Sequence, residues 1–508
     1  MKALRIRIFG IVQGVGFRPF VSRLGERYGL NGTVSNRGSL VEILISLPVK
    51  NTEGFLRALK EEAPPRSRIM DMETETVELS EALKGFSIIE STPEKGPIFV
   101  SPDIGICDAC KEELFNPKNR RYLHPFINCT DCGPRLTVMK GMPYDRERTC
   151  MHDFPMCSAC ESEYTNPSSR RYDAQPVCCN DCGPQVYIVG TDIKGGEAIA
   201  AAREALCEGK IIAVKGIGGF HLCCDATNEA VVDKLRRLKP RPAKPLAVMA
   251  KNLETAKREC VVTKAEERLL VGWEKPVVLM KKRCGGKAAP SVAPDNPFLG
   301  VMLPYAPLQL LLFSYPDGRL VSDLLVMTSA NKSGMPICRS DEDVCRDLPG
   351  LCDLVLSHDR EILLRVDDSV VTVFNEELYM IRRSRGYAPL PIHVKGDFHG
   401  SVLGAGGELK NTVCLAKDNL FYLSPHIGDV GDIKTFEAQR ECAERLLDLL
   451  EIKPQLGGAD LHPSYEASNL VREVGIVTVP VQHHYAHILS CMAENNCTSP
   501  VIGMVLDG

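Results

Sequence analysis

The sequence lacks the features that mark membrane, exported and strongly charged proteins. It has no run of the roughly 18 apolar residues that a membrane-spanning helix needs, since its most apolar stretch, around Leu308–Phe313, is short and lies between prolines. The N-terminus has no continuous apolar core of a signal peptide, which predicts a cytoplasmic protein. With 61 Lys and Arg against 65 Asp and Glu, the net charge is −4, which disfavours a nucleic-acid binder held mainly by charge.

Two nucleotide-binding signatures are also missing, namely a Walker A loop and a complete G-x-G-x-x-G fingerprint. Cysteine, in contrast, is abundant, with 22 among 508 residues. Such a count indicates either a secreted, disulfide-rich chain or a metal-binding one. Because no signal peptide is present, we favour metal binding. At roughly 150 residues per domain, the length predicts three or four domains.

Eight of the cysteines form two copies of one pattern within residues 104–187. In each copy a C-x2-C pair is followed, after eighteen residues, by a second pair, and the offset between the copies is fifty residues. Two such pairs supply the four thiolates of a closed, structural Zn²⁺ site. The predicted ligands of the two four-cysteine zinc modules are Cys107, Cys110, Cys129, Cys132, Cys157, Cys160, Cys179 and Cys182. Four disulfides are the alternative.

Residues 1–91 are typical of a small α/β module with a glycine-rich turn. Residues 5–9 alternate like a strand, and the turn at 14–18 (Gly-Val-Gly-Phe-Arg) leads into a helix predicted over 19–29. Glycines let successive backbone N–H groups converge on an anion, and the helix N-terminus adds positive potential. Arg18 lies where a guanidinium can clamp a phosphate. A plain tight turn is the alternative.

This turn, together with the stretch 32–38 (Gly-Thr-Val-Ser-Asn-Arg-Gly), resembles the signature of the acylphosphatase family. The resemblance implies a ferredoxin-like βαββαβ fold. It also implies that Arg18 binds an acyl phosphate and that Asn36 orients the attacking water, with no covalent intermediate. The alternative is that Asn36 is only a turn residue.

A third module, over residues 192–390, carries two polar motifs. The basic run 239–246 (Lys-Pro-Arg-Pro-Ala-Lys-Pro-Leu) is held extended by its prolines. Three cations on a rigid segment suit a polyphosphate, although a solvated loop is the alternative. A predicted strand at 325–327 precedes Thr-Ser-Ala-Asn at 328–331, whose hydroxyl and amide groups can bind phosphate or adenine.

Both motifs resemble the YrdC family. The resemblance implies a twisted α/β domain that binds ATP with Mg²⁺ and forms a carbamoyl adenylate. The nucleotide- and carbamate-binding residues that it implies are Lys215, Lys239, Arg241, Lys244, Thr328, Ser329, Asn331, Arg365 and Arg383. Asp367 and Asp368 are candidates for placing Mg²⁺ or the basic side chains.

Residues 400–508 carry a histidine motif. If residues 483–487 are helical, His483 and His487 share one face and can chelate one metal. The stretch resembles the actin-like (ASKHA) fold of carbamoyltransferases, which implies a divalent metal held also by Asp507, at the end of a predicted strand Val501–Leu506. That family domain continues for a couple of hundred residues, so we expect a C-terminally truncated chain with a partial domain.

In this order the four modules resemble the HypF family of hydrogenase-maturation carbamoyltransferases. The resemblance implies a multidomain α/β and α+β chain that hydrolyses carbamoyl phosphate and makes carbamoyl adenylate from carbamate and ATP, releasing pyrophosphate. It further implies transfer of the carbamoyl group to the C-terminal cysteine of HypE, as precursor of the cyanide ligand of the [NiFe] centre. No membrane or nucleic-acid partner is expected. The alternatives are a tRNA threonylcarbamoyl-adenylate synthase/transferase and a zinc-bearing scaffold.

Overall fold

The computed structural model describes residues 2–38, 40–47, 52–64, 67–79, 83–92, 98–240 and 243–507. The chain divides into two compact units, Met1–Pro184 and Gln185–Gly508. Within the described ranges, no helix combines the length and the apolar character that crossing a bilayer requires.

The first unit begins with a five-stranded sheet and two helices. Its elements are β1 (Lys2–Ile11), α1 (Phe17–Arg27), β2 (Gly32–Arg37), β3 (Leu40–Ser46), α2 (Thr52–Glu61), β4 (Arg68–Glu78) and β5 (Phe86–Ile88). The strand order is β4-β1-β3-β2-β5, with antiparallel β4-β1-β3-β2 pairing. This is the predicted ferredoxin-like βαββαβ fold. The sequence pattern predicted the start of the first helix two residues too late, because the helix begins at Phe17 and not at residue 19.

The alternation in β1 builds the core of this module. Ile6 and Ile8 lie buried on the helix-facing side of the sheet, with Val34 and Ile43 from the neighbouring strands. Phe55 of α2 meets Tyr28, at the end of α1, edge to face at 5.8 Å. The two helices therefore close one face of the sheet, and the glycine-rich turn lies at the junction of β1 and α1.

The remainder of the first unit contains the cysteine repeat and little regular structure. Its helices are α3 (Asp108–Phe115) and α4 (Ser158–Thr165), with 3-10 turns at Leu136–Val138, Arg146–Arg148 and Cys150–Asp153. Of the eight residues of α3 only Cys110 and Leu114 are buried, and α4 buries only Cys160. These helices present too little apolar surface for a core of their own. The buried apolar residues of this segment lie in its loops, among them Phe126, Ile127 and Leu136, and a metal bound by the cysteines would hold those loops together.

The second unit opens with a ten-stranded mixed sheet, in the order β15-β14-β10-β11-β9-β12-β8-β7-β13-β6. Its strands are β6 (Val186–Ile188), β7 (Ile212–Lys215), β8 (Phe220–Asp225), β9 (Val248–Ala250), β10 (Val277–Lys281), β11 (Phe298–Met302), β12 (Leu324–Ser329), β13 (Leu354–His358), β14 (Val370–Phe374) and β15 (Glu377–Arg382). Its helices are α5 (Gly195–Cys207), α6 (Glu229–Leu238), α7 (Leu253–Glu259), α8 (Lys264–Val271), α9 (Pro307–Phe313) and α10 (Asp341–Asp347). This is the predicted twisted α/β module.

A six-stranded sheet follows, in the order β16-β19-β18-β17-β20-β21. Its elements are β16 (Pro391–His393), β17 (Ser401–Gly404), β18 (Cys414–Lys417), β19 (Leu420–Leu423), α11 (Ile433–Leu450), β20 (Leu456–Asp460), α12 (Asn469–Val474), β21 (Val477–Val481) and α13 (His483–Glu494). The helix predicted at 483–487 is confirmed. The strand predicted over Val501–Leu506 is wrong, because these residues pair with no strand in the described part of the chain and Ile502 and Leu506 are almost fully exposed.

Candidate functional site

The glycine-rich turn forms an anion cradle in the first unit. Gly14 and Gly16 have φ values of 69° and 79°, in the left-handed region that favours glycine. None of the backbone N–H groups of residues 14–18 donates to a partner within the described residues. Successive N–H groups with no partner, at the start of a helix, are suited to an anion.

The zinc-binding repeat packs directly on this turn. A Cβ on Gly14 would lie 3.2 Å from Arg135 Cδ, and one on Gly16 would lie 3.2 Å from Asp131 Oδ1. Arg135 also donates from Nε to the carbonyl of Gly14 at 2.6 Å. The two glycines are therefore needed for the approach of the repeat as well as for the backbone conformation.

Arg18, at the start of α1, and Asn36, in β2, are both buried, at 7% and 1% exposure. Arg18 donates to Asp145 Oδ1 at 3.0 Å and lies 3.0 Å from Asp173 Oδ2. Burial works against its charge, but the two aspartates raise the pKa of Arg18. Asn36 has no hydrogen-bond partner for either side-chain amide atom within the described ranges, so the amide can bind water or a ligand.

The two predicted zinc clusters both form. The Sγ–Sγ separations Cys107–Cys129 and Cys129–Cys132 are 3.7 and 3.8 Å, and Cys179–Cys182 is 3.8 Å. A tetrahedral site with zinc–sulfur bonds of about 2.3 Å requires sulfur separations of ~3.8 Å. The donor atoms of each cluster all lie within 4.8 Å of one another. Both clusters therefore fit Zn²⁺.

An arginine of each repeat contacts the thiols of the other repeat. Arg120 donates to Cys157 and Cys179 of the second cluster at 3.3 and 3.2 Å. Arg170, its counterpart fifty residues on, donates to Cys110 of the first cluster at 3.4 Å. The next arginines repeat the exchange, with Arg121 bound to Glu163 and Arg171 bound to Glu113. The two copies of the sequence repeat thus contact each other reciprocally, with the arginines of each copy bound to groups of the other.

In the second unit, seven of the predicted binding residues line one cavity of about 1530 Å³. They are Lys239, Lys244, Thr328, Ser329, Asn331, Arg365 and Arg383. Lys239, just past the end of α6, donates from Nζ to Asn331 Oδ1 at 2.9 Å. Ser329 at the end of β12 donates to the same oxygen at 2.9 Å. The tertiary fold thus joins the basic run to the Thr-Ser-Ala-Asn turn.

Two other predicted residues are not in this group. Lys215 ends β7, where it is buried, donates to the His358 carbonyl at 2.8 Å and does not line the cavity. Burial lowers the pKa of Lys215. Arg241 lies outside the described residues.

The two predicted arginines in the cavity differ in their contacts. Arg365 has partners for all three nitrogens, since it donates to the Ile337 carbonyl at 3.0 Å, to Glu441 at 2.6 Å and to Asp343 at 3.1 Å. Arg383 donates from Nη2 to the Leu390 carbonyl, whereas its buried Nη1 has no partner among the described atoms. Burial lowers the pKa of Arg383 to about 10. Arg383 therefore offers an unused donor to an anionic ligand.

The two neighbouring aspartates have basic partners. Asp367 pairs with Arg382, and Asp368 pairs with Arg385 and His221 at 2.8 and 3.0 Å. Burial acts against ionisation, but Arg385 lowers the pKa of Asp368. Both carboxylates therefore position basic side chains.

The C-terminal histidines converge as the helix spacing predicts. His483 Nε2 and His487 Nε2 lie 3.0 and 3.1 Å from Asp507 Oδ2, and the three form a metal-compatible group. His483 Nδ1 lies 2.6 Å from Asp460 Oδ2, at the end of β20. Such a carboxylate fixes the ring orientation of a metal-binding histidine.

Comparisons with known proteins agree with this order of modules. Family models match residues 4–88 (Acylphosphatase), 106–139 and 156–189 (HypF finger), 204–384 (Telomere recombination) and 397–494 (HypF Kae1-like domain). The carbamoyltransferase HypF of Rhodobacter capsulatus is 39% identical over 518 residues, which are 100% of this chain and 68% of that protein. The chain belongs to the HypF carbamoyltransferase family.

Two further HypF proteins extend the comparison. The carbamoyltransferase HypF2 of Cupriavidus necator is 45% identical over 99% of this chain and 65% of its own length. A crystal structure of full-length HypF in the phosphate- and nucleotide-bound form is 44% identical, with a TM-score of 0.92, and covers 97% of this chain and 65% of that one. The chain thus spans somewhat less than two thirds of these HypF relatives.

Several residues at these HypF sites were missed by the sequence reasoning. Asp145 and Asp173 are not close to Arg18 in sequence, and nothing in the local pattern indicates that they meet it. Asp460 is the last residue of a strand, a position that is typical of functional carboxylates and that could have indicated its role. The contact of Arg170 with the opposite thiols had no such signal.

Proposed function

We propose that this chain carries out carbamoyl transfer in the maturation of [NiFe]-hydrogenase, in three steps. Water attacks the phosphorus of carbamoyl phosphate and the bond from phosphorus to the acyl oxygen breaks, giving phosphate and carbamate. Carbamate attacks the α-phosphorus of ATP and gives carbamoyl adenylate and pyrophosphate. The cysteine thiolate of HypE then displaces AMP and becomes a thiocarbamate, the precursor of the cyanide ligand. Free cysteines throughout the chain fit a reducing cytoplasm.

The observation that carries the proposal is the anion cradle. It combines unpartnered N–H groups at 14–18, the buried cation of Arg18 and the unpaired amide of Asn36 in the described structure. A dianionic phosphate can accept from the N–H groups, while Asn36 holds a water or the acyl oxygen. The phosphate-bound state of a HypF relative supports the same step.

The large cavity of the second unit supports adenylation. Lys239 and Lys244 provide positive charge, and the unused donor of Arg383 suits a carbamate or a phosphate oxygen. Cations near the departing pyrophosphate stabilise the charge that develops on it. ATP binds here with Mg²⁺, and the nucleotide-bound HypF relative agrees with a nucleotide site.

The group His483, His487 and Asp507 supports a divalent metal in the transfer step. Imidazole and carboxylate ligands suit several divalent ions. The metal would supply positive charge for binding anionic groups, and Asp460 would hold the His483 ring in place.

The test is ATP–pyrophosphate exchange by the zinc-loaded chain. We expect exchange to depend on carbamoyl phosphate and not on bicarbonate plus threonine. The opposite dependence would favour a threonylcarbamoyl-adenylate synthase, and no exchange with either would favour a scaffold.

Two variants test the first step. Arg18→Ala and Asn36→Ala should each lower carbamoyl phosphate hydrolysis by at least ~100-fold, on the scale of losing a preorganised donor. Asn36 is the sharper test, because its side chain makes no hydrogen bond with the described residues that the substitution would break. Both variants should keep their zinc, measured as two ions per chain. Full hydrolysis by Asn36→Ala would contradict the proposed role.

A further inference from the structure

We infer that Asp145, which lies between the two copies of the zinc-binding repeat, is a specificity-determining residue of the acyl-phosphate site at Arg18. It favours an acyl group that carries hydrogen-bond donors, such as the amino group of carbamoyl phosphate, over one that carries none. This inference rests on the proposed hydrolysis and names the residue that selects its substrate.

The guanidinium of Arg18 is surrounded by acceptors. Nε lies 3.0 Å from Asp173 Oδ2, and Nη1 donates to Asp145 Oδ1 and Ser91 Oγ, both at 3.0 Å. Nη2 donates to the Tyr144 carbonyl at 3.3 Å. Every nitrogen of the cation that would bind phosphate therefore already has a partner.

Two carboxylates, those of Asp145 and Asp173, lie beside the one buried cation of Arg18, and they disfavour the binding of a dianionic phosphate group. Coulomb interactions are strong where water is excluded, and Arg18 is only 7% exposed. An acyl phosphate that enters this site meets like charge from Asp145 and Asp173. Donors on the acyl group can offset this repulsion by binding a carboxylate, whereas a methyl group cannot. Such a site discriminates through a repulsive element as well as an attractive one.

The two aspartates are not equivalent. The Oδ1 atom of Asp173 is held by Gln175 Nε2 at 2.9 Å and Tyr164 Oη at 3.3 Å, and the side chain is 11% exposed. Asp145 Oδ2 has no partner in the described part of the chain, and its side chain is 29% exposed. Asp145 therefore has an unused acceptor oxygen next to Arg18, while Asp173 is fixed.

The space beside Arg18 makes a movable side chain necessary. The cavity there is lined by Arg18 and Asp173, with Asp145 just outside it on the other side of the Arg18 guanidinium, and it measures about 20 Å³, which is room for about one water molecule. A carbamoyl group enters only if a neighbouring side chain shifts. The side chain of Asp145 is bound within the described structure by Arg18 alone, so a phosphate that takes over the Arg18 donor can release Asp145, which remains an acceptor at the edge of the site.

The experiment compares carbamoyl phosphate with acetyl phosphate in the full zinc-loaded chain. Asp145→Asn keeps the size of the side chain and removes its charge. We expect the ratio of kcat/KM for carbamoyl phosphate to that for acetyl phosphate to fall at least ~10-fold, on the scale of one charged hydrogen bond. Inorganic phosphate should inhibit the variant several-fold more tightly, because one repelling carboxylate is gone. The matched control is Glu147→Gln, at a carboxylate of the same segment, which should leave both quantities unchanged.

The outcomes separate the two proposals. Hydrolysis of neither acyl phosphate by the unmodified chain would reject the proposed function, and this inference with it. Hydrolysis by the unmodified chain with an unchanged ratio in Asp145→Asn, or an equal loss on both substrates, would reject the inference alone. Should Asp145→Asn lose zinc, Asp145→Ser removes the carboxylate with a smaller side chain, and the same fall in the ratio is expected.

Discussion

At the residue scale, two of the candidate binding residues carry buried polar atoms that have no partner among the described residues. Asn36 and Arg383 each keep an unpaired, buried side-chain nitrogen in the described structure. Leaving such a group unpaired costs on the order of 1–3 kcal/mol, so a folded chain rarely retains one without a ligand or water to pair it. Arg365, another predicted binding residue that lines the same cavity as Arg383, is in contrast fully paired. Pairing alone does not separate ligand-binding cations from structural ones, because Arg18, the proposed phosphate-binding cation, is also fully paired.

A pH dependence follows from His426, which lines the large cavity. Burial, together with the cations of Arg382, Lys244 and Lys410, outweighs Asp367 and lowers the pKa of His426 to about 4. Between about pH 6.5 and 4 the unfolded chain binds a proton that the folded chain does not, so stability falls as the pH falls.

The effect of His426 on the free energy of unfolding should reach roughly 3 kcal/mol at pH 4. Denaturant unfolding of His426→Asn should therefore lose less stability between pH 7 and 4 than the unmodified chain does. The matched control is His399→Asn, at an exposed histidine. If the free energy of unfolding depended on pH equally in all three proteins, His426 would not be the source of the pH dependence.

At the scale of elements, the two zinc-binding repeats stabilise each other. Thiolates bound to one zinc ion carry excess negative charge, and donors from outside the cluster reduce it. Each repeat obtains those donors from its counterpart, through Arg120 and Arg170. The duplication therefore gives each cluster a partner that donates hydrogen bonds to its thiolates, and it also adds a second zinc cross-link to the chain.

Removal of one of these arginines should weaken zinc binding at the opposite repeat. Arg170→Ala is expected to lower the affinity of the cluster that contains Cys107 by about 10–100-fold. Competition with a chromophoric chelator measures this, because one of the two zinc ions should then be released first. Lys111→Ala, at an exposed position of α3, is the control. If Arg170→Ala released both zinc ions together, as the unmodified chain does, the proposed support of each cluster by the arginine of the other repeat would be contradicted.

At the scale of the whole molecule, the chain is a series of modules with different sources of stability. We propose the module bounds 1–91, 104–187, 192–390 and 400–508. The acylphosphatase-like sheet and the ten-stranded sheet each have an apolar core. The repeat between them in the chain has few buried apolar residues on its helices. Its buried apolar residues lie in loops, among them Phe126, Ile127 and Leu136, and zinc would hold those loops together.

Zinc removal should therefore unfold one module selectively. After chelation, amide hydrogen exchange should lose protection across 104–184, while β1, β3, β8 and β12 keep theirs. Restoring zinc should restore the protection. Loss of protection in β8 and β12 as well would show that the modules do not have separate stabilities.

The sequence by itself determined the module order, the four-cysteine clusters and the elements that carry the motifs. Strand alternation, glycine-rich turns, C-x2-C spacing and the i, i+4 histidine pair are local patterns, and local geometry turns them directly into structure. The strand predicted over the apolar run Val501–Leu506 is wrong, because an apolar run forms a strand only where a neighbouring strand can pair with it.

Only the tertiary structure decided which motifs meet. Asp145 and Asp173 form ion pairs with Arg18. The arginine of each repeat donates to the thiols of the other repeat, and Lys239 donates to Asn331. The partners are far apart in the chain, by 59 positions for Arg120 and Cys179 and by 127 for Arg18 and Asp145. No local pattern encodes such pairs, because they follow from how whole elements pack and not from the preferences of neighbouring residues.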